Sequence, residues 1–221
     1  MAGWVAVKHV FIGLPIYRSM EAGTVLSLLG LINHPPEGFH FTPILISLSD
    51  IVDSRNVIAK TVKDYPSPEK SALLFIDSDM QFTREDFMSL YTLYEDGGWG
   101  ILAAHATRKS YPFPSCYKPV MTGDSGKVVI NCEWVGMGLT LIKPEILNKL
   151  DETPFSPHAA HTIADSESED VAFCRRARGV GYKIGCAINI KISHIGEYGY
   201  GVWDQERVME DARRAGSRAR S

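Results

Sequence analysis

Residues 71–86, SALLFIDSDMQFTRED, decide how the rest of the chain is read. The run from Ser71 to Ile76 is short, apolar and uncharged, which predicts a strand buried on both faces. It ends directly on Asp77-Ser78-Asp79. Thr83 then opens a helix whose early acids, Glu85 and Asp86, suit the positive end of the helix dipole, with Phe87, Leu90, Tyr91 and Tyr94 facing inward. Carboxylates at the end of a buried strand are costly unless they meet a cation or hydrogen-bond donors. Two acids two positions apart can converge on one hard cation, and Mg²⁺ or Mn²⁺ with oxygen ligands and bound phosphates meets that need. A turn or a helix cap also uses such acids, so the tripeptide alone does not decide between them.

Working outward, strands are predicted over 8–16 (KHVFIGLPI), 40–48 (HFTPILISL) and 99–104 (WGILAA). Between them lie a helix capped by Ser19 with Val25, Leu26, Leu28, Leu29 and Ile32 inward, and another opened by Asp53 or Ser54 and running to about Tyr65. Alternating strands and helices imply an α/β fold with a mainly parallel sheet and ligands at the strands' carboxyl ends. Beyond residue 105 the pattern loosens. A strand over 127–135 is followed by the Gly136-Met137-Gly138 turn, the strand LTLI, a helix from Pro144 to Leu150 and a long polar loop over 151–168. A helix from Ser168 to about Arg178 and the strand-like YKIGCAINIKISHI complete it. No linker divides the chain, so residues 1–203 are read as one domain with halves at 8–104 and 105–203. The polar, arginine-rich stretch 204–221 reads as a short amphipathic helix or a disordered tail.

Composition narrows the function classes. The 221 residues are 45% hydrophobic and 22% charged, with a net charge of −3, so nucleic acid is not an expected partner. No run is long enough for a membrane span, and the N-terminus lacks a signal-peptide pattern, which points to the cytoplasm. Cys116, Cys132, Cys174 and Cys186 form no C-x-x-C pair and are expected as free thiols.

Residues 73–86 resemble the metal-binding segment of GT-A glycosyltransferases, particularly family 2-like enzymes. Three further segments match in order: Gly13-Leu14-Pro15-Ile16-Tyr17-Arg18, Asp53-Ser54-Arg55-Asn56 and Ser168-Glu169-Asp170, with His194 following. The resemblance implies a GT-A (Rossmann-like) α/β fold and transfer of a sugar from a nucleoside diphosphate sugar, UDP- or GDP-linked, to a hydroxyl of a glycan, lipid or protein. It implies Mn²⁺, or Mg²⁺, held by Asp79, His194 and Asp77. Pro15, Tyr17, Arg55, Asp77 and Asp79 would bind the donor, and Arg55 at a helix N-terminus would meet a phosphate or buttress Asp77. Asp170 would be the catalytic base of an inverting reaction, with Glu169 orienting the acceptor. Trp134, Gly136, Met137 and Gly138 would form the acceptor side, with Trp134 stacking on a sugar or filling core.

Four alternatives stand against this, and one of them, a sugar nucleotidyltransferase of the same fold, is disfavoured because LPIYRS after the first strand is no glycine-rich loop. A retaining transferase and a non-catalytic nucleotide-sugar or glycan-binding module both keep the metal site. A haloacid-dehalogenase-type phosphoryl transferase is disfavoured, because Gln81 stands where Thr or Val is wanted and the acids follow the third strand, not the first.

Overall fold

The computed structural model describes residues 7–67, 71–109, 115–120, 128–158 and 167–196, and the backbone of 199–200; His161 and the tail from 204 lie outside them. Strand β3 (Ser71–Ile76) forms where the apolar run predicts it, buried at every position but the first. Beside it lies β1 (Lys8–Ile16), and β2 (Phe39–Ser47) closes that edge; both pairings are parallel. Pro43 on the edge strand removes a ladder donor where another chain would otherwise pair.

On the other side of β3 the sequence reading needs correction. The next strand in space is not β5 (Ile101–His105) but β8 (Leu139–Ile142), which runs antiparallel to both and separates them. The sheet continues through β9 (Ile184–Lys191), parallel to β5, then β7 (Val129–Val135) and β6 (Tyr117–Pro119), both pairings antiparallel. Its order is β2-β1-β3-β8-β5-β9-β7-β6. Strands of the two sequence halves therefore interleave in one mixed sheet, and neither half closes a core alone.

Five helices among the described residues flank the sheet. α1 (Ala22–Asn33) and α3 (Arg84–Gly97) cover one face; α2 (Ile51–Lys63), α4 (Glu145–Asn148) and α5 (Glu169–Gly179) cover the other. Alternation along β3 divides the core. Leu74 and Ile76 pack with Leu28, Leu31, Phe87 and Leu90, whereas Leu73 and Phe75 pack with Ile58, Val62, Phe173 and Ala177. Thr83 caps α3 as expected and makes a reciprocal capping box with Asp86, and Gly98 takes the left-handed conformation that ends the helix.

Two helix readings change. α1 starts after Glu21 instead of after Ser19 and packs on the sheet through the stripe Thr24, Leu28 and Leu31, leaving Val25, Leu26 and Leu29 exposed. α2 starts earlier than expected, with Asp50 accepting from the Val52 N–H at 2.7 Å. Arg55 is consequently inside the helix, where it faces the sheet.

A second, three-stranded sheet was not foreseen. β4 (Met80–Gln81) pairs antiparallel with β10 (Ser193–Ile195), and β10 pairs with β11 (Gly199–Tyr200). The C-terminal run read as one strand breaks at Ile192, after the pairing with β5 has shifted register between Ala187 and Lys191, and the Ile192 N–H donates to the His105 carbonyl. No helix among the described residues is long and apolar enough to cross a membrane.

Candidate active site

The site forms at the carboxyl end of β3, where the Asp77-Ser78-Asp79 backbone is fixed from three directions. The Asp77 N–H donates to the Gly138 carbonyl at 3.0 Å. The Ser78 carbonyl accepts from the Glu21 N–H at 2.8 Å and from the buried Thr24 hydroxyl at 3.1 Å, anchoring the turn to the start of α1. The Asp79 carbonyl accepts from the Ile195 N–H at 2.7 Å. These bonds fix the backbone of the turn that carries the two carboxylates.

Asp77 meets Arg55. The arginine side chain is 2% exposed, among the largest fully buried side chains in the molecule. Its Nη2 donates to Asp77 Oδ1 at 2.7 Å, and its Nη1 donates to Glu169 Oε1 at 2.8 Å and to Asp170 Oδ1. One guanidinium thus gathers acids from β3 and from the first turn of α5, some hundred residues apart. Burial works against its charge, but Asp170, Asp77 and Glu169 outweigh that and raise its pKa above the ordinary arginine value. Both terminal nitrogens are engaged by carboxylates, so in this structure Arg55 acts as a positioning residue that buttresses Asp77.

One cation beside three acids leaves negative charge uncompensated, and Asp170 carries the consequence. Burial, added to the nearby Glu169 and Asp77 charges, pushes its carboxyl up to about 7 against the pull of Arg55. Oδ1 is held by Arg55, while Oδ2 faces Gly136 and takes only a long 3.4 Å bond from the Met137 N–H. A carboxyl with one oxygen fixed and the other open, titrating near neutrality, has the character of a general base.

Asp79 is differently placed. Pairing of β4 with β10 sets His194 opposite Met80, and this brings the imidazole Nε2 to 3.3 Å from Asp79 Oδ2. The other ring nitrogen, Nδ1, lies 2.9 Å from the Thr107 carbonyl. A carbonyl only accepts, so Nδ1 carries the hydrogen; a bond to Asp79 then needs a second proton on Nε2, whereas in the neutral ring the Nε2 lone pair is free for a cation. The same Oδ2 also receives Lys109 Nζ at 2.6 Å. Burial alone would raise the Asp79 carboxyl, but the bonds from His194 and Lys109 prevail and lower it below the usual carboxylate value.

Among the described residues, no three His, Cys, Asp or Glu side chains cluster as a complete metal site. The donors present nevertheless fit a cation that shares its shell with phosphate oxygens. Asp79 Oδ2 already draws a cationic group, and a His lone pair oriented from behind faces the same point.

A cleft of about 220 Å³ runs between these two ends. Pro15, Tyr17, Arg55, Asp77, Asp79, Glu169, Asp170 and His194 all line it, so residues spread over 180 positions meet as the sequence motifs predict. Tyr17 is 53% exposed at its rim, with Arg18 beside its ring. An adjoining cavity of about 110 Å³ is lined by Gly136, Met137 and Gly138 together with Met80, Cys116 and Asp170.

The acceptor-side expectations shift in two respects. Trp134 lines neither cavity; it is partly buried and packs against the core beneath β7, the filling role instead of the stacking one. Glycine at 138 is explained by packing, since a Cβ there would lie 2.4 Å from the Met80 methyl. Exposed His158 also lines neither cavity. All four cysteines are free, and burial pushes the Cys116 thiol up to about 12, so the one nearest the site is not a thiolate. Lys109 was not singled out from sequence. Its one signal is position, four residues past a strand's carboxyl end.

Neither models of known protein families nor curated proteins match this chain. Among solved structures it is similar to the crystal structure of A197 from STIV, with a TM-score of 0.58 and 16% identity over 86% of each chain. That likeness concerns the fold, a mixed α/β architecture with a large sheet flanked by helices.

Proposed function

We propose that this protein is a metal-dependent glycosyltransferase of the GT-A type, taking a sugar from a UDP- or GDP-linked donor to a hydroxyl of a glycan, lipid or protein in the cytoplasm. The observation that carries this reading is the Arg55 hub. It draws the acids of β3 and of α5 into one cleft, and Asp79 and His194 stand on the cleft's other side.

Each residue then has a task. The nucleotide enters past Pro15 and exposed Tyr17, and the diphosphate lies against Asp79 and His194, where Mn²⁺ or Mg²⁺ would neutralise the leaving group. The acceptor hydroxyl approaches Asp170 Oδ2, its orientation set by Glu169. As the acceptor oxygen bonds to the anomeric carbon, the bond from that carbon to the diphosphate oxygen breaks, and Asp170 takes the hydroxyl proton. Attack and departure on opposite sides of the ring invert the anomeric configuration.

The test is incubation with UDP-, GDP- and dTDP-sugars plus Mn²⁺, following nucleoside diphosphate release. At least one donor should be consumed in a metal-dependent manner. Binding without any release would leave a nucleotide-sugar-binding module in place of an enzyme.

A further inference from the structure

We infer that Lys109 is an internal counter-cation that holds the metal position at Asp79 until a diphosphate arrives, so that metal and donor bind together and not in isolation. This rests on the reading of Asp79 and His194 as the metal pair.

Three observations carry it. Lys109 Nζ lies 2.6 Å from Asp79 Oδ2, the same oxygen that His194 Nε2 approaches at 3.3 Å. A divalent ion bound by this oxygen and this nitrogen would therefore stand against the ammonium, and two cations a few ångströms apart repel strongly in a partly buried cleft. Lys109 is about one-third exposed and follows β5 on a long, flexible side chain, so its ammonium can change partner without disturbing packing. Finally, Arg55, the cation among the residues lining the cleft, has both terminal nitrogens engaged by Asp77, Glu169 and Asp170. Lys109, by contrast, is paired directly to Asp79 and is free to leave that carboxylate for a phosphate oxygen.

The resulting exchange conserves charge pairing. Without ligand, Asp79 pairs with Lys109. With metal and diphosphate bound, Asp79 pairs with the metal and Lys109 with the diphosphate. Metal binding alone must break the Lys109–Asp79 pair with nothing to receive the ammonium, whereas binding alongside a diphosphate re-forms it elsewhere. This is a coupling between two ligands, and it is reciprocal.

Mn²⁺ titration of the full chain in the absence of nucleotide tests it directly, comparing wild type with Lys109→Met, Lys109→Gln and Asp79→Ala. Removing the ammonium should tighten Mn²⁺ binding by about tenfold in both lysine variants, one step on the affinity scale. At saturating Mn²⁺ the same variants should bind UDP or GDP, whichever the wild type prefers, about tenfold more weakly. Unchanged or weaker Mn²⁺ binding in both lysine variants overturns the exchange. If Asp79→Ala binds Mn²⁺ as the wild type does, the metal pair itself is misplaced, a failure distinguishable from the first.

Discussion

Two carboxylates two residues apart, Asp77 and Asp79, share one turn and live under opposite conditions. Asp77 is locked to a buried arginine that two further acids also claim, so releasing it means breaking a network of three ion pairs. Asp79 is met by a partly exposed lysine and a histidine at the cleft wall, contacts that exchange without disturbing packing. The difference shows how one short motif serves both architecture and ligand binding. The inner acid fixes where the base on α5 stands, and the outer acid is left with replaceable partners.

Breaking the inner cluster should have the largest effect. Arg55→Met strands three acids around an apolar side chain, and we expect a loss of about 3–5 kcal/mol in urea unfolding, as when one partner of a buried charge network is removed. A loss under about 1 kcal/mol would show that solvent reaches the cluster and that the inner and outer ends do not differ as described.

Asp170 sharpens the contrast through pH. Its folded carboxyl titrates near 7, above its ordinary value of 3.8, so the folded state holds a proton that the unfolded chain has already released. This group's contribution to stability is therefore complete at acid pH and declines as pH rises from about 4 to about 7. Melting temperatures of wild type and Asp170→Asn should diverge over that window, with the variant the more stable above it; parallel curves would place Asp170 in water.

Smaller effects mark the boundaries of the site. Gly138→Ala presses on Met80, whose flexible end yields, and should cost about 1 kcal/mol. An exposed ion pair such as Lys60–Asp64, at 2.9 Å, offers the outer limit: Lys60→Ala should leave the denaturant midpoint nearly unchanged. If the two variants were equal in denaturant midpoint, Gly138 would not be held by packing.

Much of this was legible in sequence, for identifiable reasons. Strand β3, the Thr83 cap and the inward set Phe87, Leu90, Tyr91 and Tyr94 rest on local periodicity and capping, which tertiary structure had no cause to override. The convergence of Pro15, Arg55, Asp77, Asp79, Asp170 and His194 was legible as motif order. Insertion of β8 between β3 and β5 was not, because antiparallel neighbours so far apart in sequence leave no local trace. The inner face of α1 was misread because Val25, Leu26 and Leu29 are as apolar as Leu28 and Leu31, and only packing against the sheet selects among them. Trp134 was ambiguous for a similar reason, since an aromatic beside a turn fits a core as well as a sugar. Lys109 escaped notice because a lysine in a polar loop looks solvated until the fold sets it beside Asp79.

The division of labour between the two ends is tested most directly by comparing donor binding with transfer in Asp170→Asn and Asp79→Ala. With the donor identified by diphosphate release, Asp170→Asn should keep its Mn²⁺-dependent donor affinity while kcat falls by about 10²–10⁴, the usual worth of a general base. Asp79→Ala should lose the Mn²⁺-dependent affinity itself. Near-wild-type turnover in Asp170→Asn, or undiminished metal-dependent binding in Asp79→Ala, would contradict the account.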